Sequence, residues 1–320
     1  MSAPAPSSTY VSNVWKDGIF DGRVAFVTGG AGTICSVQTR ALVRLGANAC
    51  IVGRNADKTE AMARDLETAR AGSKVIGIGR CDVRKIEDLQ AAAKRCIDEL
   101  GAIDFVIAGA AGNFVVPISG MSSNAFKSVM DIDVLGTFNT IKATMPHLVE
   151  SAKRNPNPSP TGTGTGGRFL AVSATFHYTG MPLQAHVAAA KAGVDSLVAS
   201  VALEYGPLGI TANAIAPGPI AGTEGMERLA GDVAVGEQGK GVPSGRWGTV
   251  RDIADATVYL FSDAGNYVNG QIIPVDGASW RRQGSDGAGV GVDSSMKYPD
   301  YILKGEISKQ IKTGRKETKL

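Results

Sequence analysis

The chain has 320 residues, 43% of them hydrophobic and 20% charged, the composition expected of a soluble globular protein with a full core. Lysine and arginine total 33 against 30 acids, a net charge of +3 that is too small for nucleic acid as the principal partner. The four cysteines (Cys35, Cys50, Cys81 and Cys96) form no Cys-x-x-Cys pair and have no histidine at ligand spacing. They are expected to be reduced core thiols rather than metal ligands. No run approaches the roughly 18 apolar residues of a membrane span, and residues 1–8 lack the apolar segment of a secretory signal.

Taken in chain order, the apolar run Val24-Ala25-Phe26-Val27-Thr28 predicts a first strand, and residues 37–45 a helix stopped by Gly46. A strand over 49–53, a polar-faced helix over 56–70 and a strand over 74–78 follow. Residues 86–100 read as a helix stopped by Gly101, and 105–108 as a fourth strand. A long helical stretch over 125–152 is expected to be interrupted near Pro146. Residues 155–167, rich in Pro, Gly and Thr, read as a surface loop. Strands over 169–173, 211–216 and 271–275 alternate with helices over 187–205 and 253–261.

Short, continuously apolar strands alternating with helices predict an α/β fold: a single doubly wound parallel sheet (Rossmann) of seven strands with helices on both faces. Right-handed crossovers then put the ligand at the carboxyl ends of the strands. We expect an extension over 1–19, one Rossmann domain over 20–282 and a tail over 283–320. The tail ends in Thr318-Lys319-Leu320, one methyl group away from the Ser-Lys-Leu peroxisomal address. That predicts a peroxisomal location, with the import receptor as a partner; the alternative is a solvated basic tail that happens to end in Leu.

Gly29-Gly30-Ala31-Gly32 directly after the first strand is the turn of a dinucleotide site. Glycines let the backbone approach a pyrophosphate, and the next helix offers its free N–H groups. At the tip of the second strand stands Arg54 rather than an acid, in Val52-Gly53-Arg54-Asn55. A guanidinium suits a 2′-phosphate and points to NADPH; the alternative is an ordinary surface arginine. Asp82, after the third strand, is placed either to bond an adenine edge or to cap the following helix.

The segments Thr28-Gly29-Gly30-Ala31-Gly32, Cys81-Asp82-Val83, Ala110-Ala111-Gly112, Ala190-Lys191-Ala192 and Asn213-Ala214-Ile215-Ala216-Pro217-Gly218-Pro219 together resemble the short-chain dehydrogenase/reductase family over residues 20–280. The resemblance implies that Thr33, Ile34, Val83, Ala110, Pro217, Gly218 and Ile220 join Gly29, Gly30, Gly32, Arg54 and Asp82 around the cofactor. It also exposes departures. Thr33 and Cys35 replace the last two glycines of the family pattern. Where the family carries its Tyr-x-x-x-Lys pair, this chain has Val187 before Lys191; Ala174 stands for the family serine and Asp133 for its asparagine.

Losing both hydroxyl groups argues against ordinary ketone chemistry, which needs a proton donor held at the carbonyl oxygen. The surviving Asp133 and Lys191, the Asp131-Ile132-Asp133 segment and the Pro217-Gly218-Pro219-Ile220 turn are similar to those of peroxisomal 2,4-dienoyl-CoA reductases, and the first glycine turn to their fungal members. The resemblance implies a fatty acyl-CoA substrate, reduced at the far end of its diene with formation of an extended enolate. Lys191 would bond the nicotinamide ribose and Asp133 would position the water that protonates the α-carbon; the plainer alternative for Asp133 is a helix-interior carboxylate paired with a lysine. Asn113 and Phe114 are expected beside the thioester, with Asn113 toward its oxyanion; the plainer alternative for Asn113 is a turn residue.

Tyr178, in the loop after the fifth strand, is a candidate to reach substrate; the alternative, for it and for His186, is substrate-loop packing or a satisfied surface group. His186 neighbours Val187, about 100° away on the helix. Helices 125–152 and 187–205 are expected to pair across a two-fold axis, giving a homo-oligomer (dimer or tetramer). The rival readings are a 3-ketoacyl or other carbonyl reductase using a donor such as Tyr178, and a catalytically silent nucleotide-binding protein.

Overall fold

The computed structural model describes residues 6–157, 165–223, 226 and 242–282. The expected tail, its final tripeptide and most of the Pro/Gly-rich loop lie outside the described residues.

Seven parallel strands form one sheet in the order β3-β2-β1-β4-β5-β6-β7. They are β1 (Val24–Thr28), β2 (Asn48–Val52), β3 (Val75–Ile78), β4 (Phe105–Ala108), β5 (Gly167–Val172), β6 (Ile210–Pro217) and β7 (Ile272–Val275). Helices α1 (Thr33–Arg44), α2 (Ala56–Glu67), α3 (Ile86–Leu100), α4 (Ser123–Met130), α5 (Gly136–Arg154), α6 (Phe176–Thr179), α7 (Ala185–Tyr205) and α8 (Val250–Phe261) make the connections. The strand order reverses between β1 and β4, which opens the ligand crevice at their carboxyl ends.

Although the strands show no polar alternation, their side chains still alternate in direction. Val24 and Phe26 of β1 enter a core with Leu89, Cys96, Leu148 and Val198, on the side of α3, α5 and α7. Ala25 and Val27 enter the opposite core with Leu42, Ile253 and Phe261, on the side of α1 and α8. All four cysteines are free and buried, as expected of core thiols.

The interruption expected near Pro146 lies elsewhere. Pro146 sits inside α5, and the break is a π-helical turn over Asp131–Leu135 between α4 and α5. Proline removes one intrahelical bond but does not end this helix, whose buried face, including Met145 and Leu148, is held by the core. The first helix also starts earlier than expected, at Thr33, because extended Gly32 serves as its N-cap.

The N-terminal extension is docked rather than trailing. Its Tyr10 and Val11, with Phe20 just after it, are buried in the core beside α1 and α8. Asp255 of α8 accepts from the Ser12 N–H and from Trp15 Nε1, each at 2.9 Å.

α7 departs from the expectation that no stretch is apolar enough to span a membrane. Continued to Leu208, it is one described helix with that length and composition, mean hydropathy 1.3. Nearly half of that stretch is buried inside the protein, and α7 carries Lys191 and Asp195, so it reads as a core helix.

Candidate active site

A cleft of about 510 Å³ runs along the carboxyl ends of the strands, from the tip of β2 to the loop after β6. Its first part is the glycine turn. Gly29 has φ +65°, and a Cβ there would lie 2.9 Å from the Ala110 backbone, so β1 and β4 meet closely across the turn. The N–H groups of Thr33 and Ile34, in the first turn of α1, have no helical acceptor and both residues line the cleft.

Gly30, expected at the cofactor, does not line the cleft. A Cβ there would fall 2.5 Å from that of Ile51, so its role is close packing of the turn on β2. The missing third glycine is explained in the same way. Cys35 puts its thiol where a side chain at Gly109 would stand, 2.1 Å from that Cβ position, so space given up on α1 is recovered at the end of β4. Burial pushes the Cys35 thiol up to about 12, which keeps it protonated.

At the tip of β2, Arg54 is exposed on the cleft wall. Lys58, which sequence reasoning missed, lines the same end from the first turn of α2, where Asn55 caps the helix by accepting from the Lys58 N–H at 2.9 Å. Two cations and a helix N-terminus give this end of the cleft a positive potential. Asp82 and Val83 line the cleft beside this end, where the Cys81 N–H bonds the Gly53 carbonyl at 3.1 Å. The Asp82 carboxylate is held by Arg84 (Nε to Oδ1, 2.9 Å), and that bond keeps it down at about 2. Asp82 is not the helix cap, a position held by Lys85. The Val83 carbonyl accepts from Asn139 Nδ2 at 2.9 Å, and Gly136 lets the helix approach the Val83 side chain.

At the inner end Asp133 and Lys191 meet. Asp133 is fully buried in the π turn, where the extra residue directs it inward while Asp131 pairs with Lys127 at the surface. Its Oδ2 accepts the Gly112 N–H at 2.7 Å, and its Oδ1 lies 2.9 Å from Lys191 Nζ. Lys191 also donates to the Val172 carbonyl at 3.0 Å, which fixes the ammonium at the end of β5. Ala174 and Val187 line the same pocket, so the two positions without hydroxyl groups face the cleft as expected. Asn113, Ala110, Pro217, Gly218 and Ile220 line it too. Ser173 and Phe176 do so without having been expected; their only sequence signal is their place at the end of β5, beside Ala174.

Phe114 and Tyr178 are not brought to the cleft. The Phe114 ring stacks on His186, centroids 4.1 Å apart, and packs with Val129 and Val187. Tyr178 turns to Trp280, 5.0 Å away, and burial raises its phenol to about 12.

The enoyl-(acyl carrier protein) reductase family matches residues 30–278. A peroxisomal 2,4-dienoyl-CoA reductase of Saccharomyces cerevisiae is 48% identical over 296 residues, 92% of this chain and 94% of the relative. The chain belongs to the short-chain dehydrogenase/reductase family. A second short-chain dehydrogenase/reductase relative, the peroxisomal 2,4-dienoyl-CoA reductase of Danio rerio, is 35% identical over 86% of this chain and 87% of its own length. Among solved structures, a short-chain type dehydrogenase/reductase from Mycobacterium ulcerans superposes with a TM-score of 0.74 at 27% identity, covering 83% of this chain and 92% of that one. As a short-chain dehydrogenase/reductase, the chain is an oxidoreductase that uses a nicotinamide cofactor.

Proposed function

We propose that this chain is an NADPH-dependent 2,4-dienoyl-CoA reductase of the peroxisome, producing 3-enoyl-CoA. The observation that carries the reading is the Asp133–Lys191 ion pair in a cleft whose other two family positions are Ala174 and Val187. The names of relatives from yeast and fish support the same substrate and location. The residues present fit the cofactor: the Gly29 turn leaves no room for a side chain, and Arg54 with Lys58 at the α2 N-terminus supplies the charge that a 2′-phosphate needs.

When bound, the reduced nicotinamide supplies the hydride. Lys191, held by Asp133 and Val172, presents its remaining donor to the cofactor ribose and a positive potential to the enolate. Asp133, oriented by the Gly112 N–H, holds the water that protonates the α-carbon. Asn113, on the wall after β4, is the candidate for the thioester oxygen. A dienoyl thioester takes its proton on carbon rather than on a carbonyl oxygen, so the donor need not be a phenol held at that oxygen. The carbonyl-reductase reading loses its donor, because Tyr178 is packed against Trp280.

We place self-association, as a dimer or tetramer, on the α4–α5 and α7 faces, where Phe126, Leu135, Phe138 and Leu203 are exposed. The import receptor is the proposed partner of Thr318-Lys319-Leu320.

The test is NADPH consumption with a 2,4-dienoyl-CoA beside a 3-ketoacyl-CoA of equal length. Turnover of the dienoyl substrate alone is expected. Turnover of the ketoacyl substrate alone, or of neither, overturns the reading.

A further inference from the structure

His186 stands in the first turn of α7 and is fully buried, yet neither ring nitrogen has a hydrogen-bond partner of good geometry. It is not isolated. Gln184 Oε1 and Ser173 Oγ are also buried without a partner, and Asp133 Oδ1 has only the ammonium of Lys191. Buried polar atoms are nearly always satisfied, so each of these marks a place that water completes.

One loop joins them. The Gly112 N–H holds Asp133, the Phe114 ring stacks on His186, and the Phe114 carbonyl accepts from Gln184 Nε2 at 3.1 Å. At the far side, Val116 bonds the carbonyl of Leu183, which is 44% exposed. The sequence of groups therefore runs from the buried carboxylate to the surface. Burial lowers the pKa of the imidazole, while the Phe114 carbonyl and the Asp133 charge act the other way, so the resting ring is neutral. A neutral imidazole has one donor and one acceptor nitrogen and can take a proton at one while releasing it from the other.

We propose that His186 is a positioning residue for the water at Asp133 and relays solvent protons to it, an inference that rests on the reductase reading above. Reduction of the diene takes one hydride and one proton, so each turnover must draw one proton from solvent. When the water at Asp133 has given its proton to the α-carbon, hydroxide remains. One ring nitrogen of His186 releases its proton to that hydroxide, and the other gains one from a solvent hydronium or buffer acid. One imidazole N–H bond and the donor acid's bond to its proton break, one N–H and one O–H bond form, and exchange with water resets the tautomer.

The experiment is NADPH oxidation with a 2,4-dienoyl-CoA, in H2O and D2O, by the full chain and by His186→Phe and His186→Ala. His186→Phe keeps a flat ring on Phe114 and so preserves the packing. The expected result is a kcat lower by on the order of 10²-fold with KM for NADPH within about threefold. The solvent isotope effect should grow, and added imidazole should restore about tenfold to His186→Ala. His186→Phe turning over like the wild type overturns the relay. So does loss in both variants with an unchanged isotope effect and no response to imidazole. If His186→Phe does not fold, the imidazole titration of His186→Ala decides. A wild-type chain inert toward the dienoyl substrate refutes the functional reading itself and the relay with it, whereas active wild type beside equally active His186→Phe refutes the relay alone.

Discussion

The ammonium of Lys191 lies 2.9 Å from the carboxylate of Asp133, at the inner end of a cleft whose neighbouring walls carry Ala174 and Val187. The two charges come from elements far apart in the chain, a π turn and the start of α7, and each is fixed by a backbone group of a third element. Such a pair contributes little to stability while intact, but removing one member strands the other.

Lys191→Met therefore leaves a buried carboxylate without its partner. We expect a loss of about 3–5 kcal/mol, seen as a Tm lower by on the order of 5–10 °C. Adding Asp133→Leu removes the second charge, and the double variant should recover most of that loss while remaining inactive. Thermal melts of the wild type, both single variants and the double variant check this; additive losses contradict it.

Arg54 and Lys58 define the cofactor's outer end. Arg54→Asp replaces a guanidinium by a charge that repels a phosphate and attracts a ribose diol. The ratio of kcat/KM for NADPH over NADH should fall by roughly 10–100-fold, the value of one or two charge-assisted bonds. An unchanged ratio removes the assignment of the 2′-phosphate to this end.

Tyr178 meets Trp280 edge to face and its phenol is raised to about 12. Tyr178→Phe keeps the ring contact and should leave kcat on the dienoyl substrate within about twofold, since only the hydroxyl is lost. A loss beyond about 100-fold is the size of a general acid's contribution and restores the carbonyl-reductase reading.

Asp252 caps α8 with Thr249 and pairs with Arg246, whose bond holds the carboxyl at about 2 against an ordinary 3.8. A folded-state pKa below the unfolded one contributes stability that is present above about 4 and is lost as the pH falls toward about 2. Asp252→Asn should lower Tm at pH 6 and flatten the decline of Tm between pH 5 and 3. An unaltered acid limb shows that the pair carries no linkage.

Much of this architecture is legible in the residues because a parallel sheet advertises itself. β1 and β4 are found at the bounds their apolar runs predict, and Asp133 and Lys191 follow from counting along a family pattern. What escapes reading is long-range fit. Nothing local marks the extra residue at Asp131–Leu135, whereas Pro146 announces a break that packing suppresses. Gly30 looks like its neighbours in sequence but answers to Ile51 across the turn. Tyr10, Val11 and Phe20 are scattered apolar residues in a polar segment, and only the groove beside α1 and α8 gives them a place.

The most direct test is Asp133→Asn, which keeps size and an acceptor for Gly112 but removes the charge. NADPH oxidation with a 2,4-dienoyl-CoA is measured beside NADPH affinity. The account predicts a kcat at least about 100-fold lower with NADPH affinity within about threefold. Undiminished turnover contradicts it.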